Sequence, residues 1–180
     1  MGDWREDPEF VEVARELREW AGAELREEAE EGERLAALAA ARGRTLSDVA
    51  AELRSRGDRV AVRTGGRTIA GVVTHAGGDF FTLETAATTV EVNLRRPVVL
   101  TVVERAPSGG REPAGGAATF RGRLLELEMD DAEIDVVVEG GDVLSGRLGA
   151  VGRDHLVLRG AVGEETFVAT AAIDHVARLR

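Results

Sequence analysis

Arg95 and Arg96 stand side by side, and Arg63 and Arg67 lie in the same stretch of chain. A guanidinium offers a planar fork of donors that holds a phosphate in a bidentate manner, so adjacent arginines suit a nucleic-acid backbone. Phe80 and Phe81 follow Asp79, and an aromatic ring near such a patch can stack on a base. On a strand these two rings point to opposite faces, so one belongs to a core. Phe80 is taken as the candidate platform. The nucleic-acid-binding set expected from the sequence is therefore Arg95, Arg96, Arg63, Arg67 and Phe80.

Other chemistry is sparse. The chain has no cysteine, which removes disulfides, thiolate ligands and thiol nucleophiles. His75, His155 and His175 are the three histidines, and no pair has the i, i+4 spacing of a helical zinc site. No metal and no cofactor are expected. Asp154 could orient the imidazole of His155, yet no serine or threonine stands at a matched nucleophile position. The element that recurs in the chain is Gly-x-Asp, at Gly77–Asp79 and Gly152–Asp154, which is turn chemistry. No catalytic residue is assigned, and an enzyme is not expected.

Residues 1–57 read as an acidic helical segment. Asp7-Pro8 starts a first helix, in which Phe10, Val13, Leu17 and Trp20 form an apolar stripe. A second helix carries Leu35 and Leu38, and Thr45 with Asp48 opens a third that Gly57 closes. Residues 35–53 resemble the first part of a helix-turn-helix DNA reader, but Gly57-Asp58 leads into a strand rather than another helix. From Asp58 the apolar period changes to two. Val60 and Val62, the Gly65-Gly66 turn, and Ile69, Gly71 and Val73 describe a hairpin. Further strands are expected near residues 80–84, 90–94 and 98–103. Residues 106–118, rich in glycine and proline, read as a linker to a second β unit at 119–180 that begins with a short lead-in.

The second unit repeats the first. Residues 65–83 and 140–158 align without a gap at an offset of 75, with six identities in 19 positions. These are the two turn glycines and the pairs Gly71/Gly146, Gly77/Gly152, Asp79/Asp154 and Leu83/Leu158. Glycines at turns and apolar residues at inward positions are what a shared backbone requires.

Gly66-x-x-Ile69-x-Gly71-x-Val73 and Gly141-x-x-Leu144-x-Gly146-x-Leu148 resemble the first motif of the Sm-like (LSm- and Hfq-like) family. Leu94-Arg95-Arg96-Pro97-Val98 looks like the start of its second motif, and Ala172–Val176 is similar to the Hfq-like ending. The resemblance implies an α+β protein with N-terminal helices followed by two small antiparallel Sm/SH3-like β-barrels. It also implies RNA binding, through arginines where the family holds RNA. Those positions are Arg95-Arg96 in the first copy but Thr170-Ala171 in the second, so RNA is assigned to the first barrel. Asp79 and Asp154 fall about two positions later than the family aspartate, and its asparagine is missing.

Charge narrows this further. All 23 basic residues are arginine, against 33 acids, for a net charge of -10 and a pI near 4.9. Residues 1–57 carry 15 acids and 9 arginines, whereas 58–105 carry 5 and 6. Phosphate contacts dominate nucleic-acid affinity, so only the first β unit suits such a partner. The reading is a non-enzymatic, RNA-associated regulator. Its alternative is a protein-interaction or assembly module that self-associates or binds another protein. With neither a membrane-length apolar run nor an N-terminal apolar leader, a cytoplasmic protein without a membrane partner is expected.

Overall fold

The computed structural model describes Glu12, residues 29–110 and residues 115–179. The expected stripe from Phe10 to Trp20 lies outside the described residues. Residues 29–43 are helical (α1), within a unit spanning Met1–Arg44 that is separate from the unit Thr45–Arg180.

In the second unit, helix α2 (Leu46–Arg56) starts at a capping box, in which Thr45 Oγ1 accepts from Asp48 N and Asp48 reaches back to Thr45 N at 2.8 Å. Gly57, at φ 76°, ends it, and the chain runs directly into β1 (Arg59–Thr64). Strands β2 (Arg67–Ala76), β3 (Phe80–Glu84), β4 (Thr89–Asn93) and β5 (Val99–Glu104) complete the first half. The second half opens with a helix that the sequence reading missed, α3 (Phe120–Met129), capped by Thr119. It continues through β6 (Glu133–Val138), β7 (Val143–Val151), β8 (His155–Arg159), β9 (Glu165–Ala169) and β10 (Ile173–Arg178), with a 3-10 turn at Thr170–Ala172 before β10.

The expectation of two closed barrels is wrong. The ten strands of the described residues form one continuous antiparallel sheet in the order β5-β1-β2-β3-β4-β10-β6-β7-β8-β9. Neither half closes, because β4 gives its outer edge to β10 of the other half. Within each half the order is nevertheless the same: fifth, first, second, third, fourth strand. The long second strands also break register at matching places, between Val73 and His75 and between Leu148 and Ala150. Bulges of this kind bend a strand and increase its twist. The repeat therefore includes the helices: Thr45 and Thr119 are both caps, and Ala50 and Leu53 are buried in α2 as Leu124 and Leu127 are in α3.

The junction of the halves is more than a ladder. Gly78 N donates to Ala118 O, and Phe120 N donates to Asp79 Oδ1 at 2.6 Å, which pins the start of α3 on the β2–β3 turn. Glu91 on β4 is only 2% exposed, and its carboxylate takes Arg123 Nε of α3 at 2.9 Å and Thr82 Oγ1 at 2.6 Å. The segment read as a linker is tied down at both described ends: Ala106 N donates to Asp58, Gly110 N to Ser55 O, and Ala117 O meets His75 Nε2 at 2.8 Å. No helix among the described residues is long and apolar enough to cross a membrane.

Candidate functional site

The junction creates a cleft of about 620 Å³ where turns from both halves converge. The β2–β3 turn supplies Asp79, the end of β4 supplies Asn93, and the β4–β5 turn supplies Arg95 and Arg96. Arg121 comes from the first turn of α3, and Arg153 and Asp154 from the β7–β8 turn. Two of the five sequence-predicted residues, Arg95 and Arg96, are therefore brought together.

Their guanidinium groups are already engaged. Arg95 Nε meets Asp79 Oδ2 at 3.0 Å, although its side chain is largely exposed. Arg96 is 18% exposed and bridges the halves, with Nε 3.1 Å from Asp174 and Nη2 3.0 Å from Glu139. The Asp174 hydrogen bond is the largest cause raising the Arg96 pKa. Arg96 is thus a clamp between the halves before it is anything else. Arg121 donates through Nε to Gly152 O at 2.8 Å, and Arg153 is exposed. These two arginines were not in the expected set. The signal for Arg153 was its position in the repeated Gly-x-Asp turn, where the first half has Gly78.

The other expected residues fall elsewhere. Arg63 and Arg67 are exposed but do not line the cleft. Arg67 borders a different hollow with His175. Phe80 is 0% exposed and packs between the His75 ring at 5.3 Å and the Phe120 ring at 6.3 Å. It is a core residue, closed to a base.

Asp154 and His155 do pair, with Oδ1 2.9 Å from Nδ1, and this hydrogen bond holds the Asp154 carboxyl below the ordinary carboxylate range. The His155 ring lies 5.9 Å from that of Phe167. Among the described residues, no group of three or more His, Asp or Glu side chains is placed to hold a metal ion.

A second kind of site lies at the two ends of the sheet. Among the described residues, β5 and β9 each pair with one neighbour only. Val99, Val102 and Val103 on β5 are exposed, and Phe167 on β9 is 66% exposed. An edge strand presents a row of unpaired backbone donors and acceptors, and proteins ordinarily blunt it with lysine, proline or inward charge. Here both edges carry apolar side chains instead. Neither a family model nor a curated protein matches the chain.

Proposed function

We propose that this chain is a non-enzymatic Sm-like assembly module that works by joining β edges. One observation carries the reading: the fourth strand of one half pairs with the fifth strand of the other inside the molecule, while among the described residues the remaining fourth and fifth strands, β9 and β5, are left as apolar edges without a second neighbour. The common strand order of the halves supports the internal repeat on which that resemblance was read. The acidic charge of the chain fits a protein partner better than a polyanion. Light scattering across a concentration series tests this. A mass above that of one chain, rising with concentration to a plateau, is expected. A strict monomer at the highest concentration would overturn it.

A second reading is RNA binding in the cleft, favoured by the convergence of Arg95, Arg121 and Arg153 on one opening. Filter binding of poly-U at low salt should then weaken with added salt and in Arg95→Ala/Arg153→Ala. Absence of binding by the unaltered chain at low salt would remove this reading.

A further inference from the structure

We infer that helix α1 is a second association surface, and that its occupant is α1 of another copy of this chain, packed antiparallel across a two-fold axis. This goes beyond edge joining, because α1 belongs to a unit that the sheet does not include.

The starting observation is that α1 buries nothing. Every residue from 29 to 43 is exposed, including Leu35 at 59% and Leu38 at 46%. A helix of this length is marginal in water by itself, and most helical stability comes from packing an apolar face. The leucines define that face. Glu31, Leu35, Leu38 and Arg42 recur at spacings of four, three and four, which places them on one seam of the kind that two helices share. The flanking positions Gly32, Ala39 and Ala41 are small, so a second backbone can approach the seam closely.

Charge decides what fits there. Glu30, Glu31 and Glu33 precede the leucines, and Arg42 and Arg44 follow them. Arg34, four residues after Glu30, is placed to be screened within its own helix. A parallel partner of the same sequence sets Glu31 against Glu31 and Arg42 against Arg42. An antiparallel partner reverses this. With the axis between Ala36 and Ala37, Leu35 faces Leu38 of the other copy and Glu31 faces Arg42, and the symmetry makes each contact twice. The helix dipoles also oppose in this arrangement, with each acidic N-terminal end beside a basic C-terminal one. The surface is therefore complementary to itself.

Two consequences follow from size and symmetry. A helix of this length spans only about 20 Å, so the contact is smaller than the roughly 800 Å² per partner of a stable interface. The pairing is reversible and depends on concentration. Because one patch meets its own copy, the contact is isologous and saturates at two chains.

The full chain, which has no cysteine, allows a position-specific test. Glu31→Cys and Arg42→Cys chains, mixed and mildly oxidised, should give a cross-linked dimer, while neither variant alone should cross-link. Sedimentation of charge variants checks the same register. Glu31→Arg and Arg42→Glu should each weaken self-association about threefold to tenfold, and the two together in one chain should restore it. All four positions are exposed, so the fold does not depend on them. Self-cross-linking of Glu31→Cys would mean a parallel pair and overturn the proposal. So would the absence of any mixed cross-link, or charge variants that all associate like the unaltered chain. An oligomer that persists through those results is built on the sheet edges, and the assembly reading then stands without α1.

Discussion

His175 is a polar side chain in a place built for an apolar one. It is buried at the junction of the halves, and its Nδ1 has no hydrogen-bond partner. Burial is the main cause lowering its pKa; Arg67 lowers it further, and Asp174 acts in the opposite direction. An unfolded histidine titrates at about 6.5. Below that value the unfolded chain takes up a proton that the native state resists, so stability is full above it and is lost as the pH falls towards the lower folded value. The residue at the equivalent position of the first half is Val99. His175→Val should therefore flatten the fall in Tm between pH 7 and pH 5 relative to the unaltered chain. Parallel Tm curves for the two proteins would show that this imidazole does not couple folding to pH.

Glycine in the middle of the second strand was legible in the sequence, and the structure gives its reason. A Cβ on Gly71 would lie 2.3 Å from Glu84 O, whereas one on Gly146 would lie 2.9 Å from Arg159 O. In both cases the obstacle is backbone of the neighbouring strand, pressed close where the sheet bends. Overpacking of this kind costs about 1–3 kcal/mol. Gly71→Ala should sit at the upper end of that range and Gly146→Ala lower, as measured by urea unfolding. Equal losses would mean that the two bends are equally tight. The two-glycine turns, both at positive φ, were legible for a similar local reason. Helix α3 was not, because Gly122 interrupts it and its apolar residues follow a loop-like Gly/Pro stretch. The pairing of Arg96 with Asp174 and Glu139 is wholly tertiary, so Arg96 read as a ligand-binding arginine. Whether five strands close on themselves depends on where β4 finds its partner. That partner is about 85 residues away in sequence, and no local pattern encodes the choice.

Each half has its own core, but that of the second half includes a side chain lent by the first. Phe80 and Phe81 point to opposite faces of β3, as alternation requires. Phe81 enters the cluster of the first half with Val73 and Leu83. Phe80 instead enters the cluster of the second half, beside Phe120, Leu124, Leu148 and Leu156. The first half therefore completes the second, and the buried Glu91–Arg123 pair adds a contact that neither half makes alone. Truncating a buried phenylalanine costs about 3–5 kcal/mol, and at Phe80 that loss falls on both halves together. Hydrogen exchange resolved by segment should show Phe80→Ala exposing amides of β7 and β8 along with those of β3. Phe81→Ala, its neighbour, should act first on the strands of the first half. If Phe80→Ala raised exchange in β3 alone, the two cores would be separable. The second half would then have to hold its fold without the ring that the first half lends it.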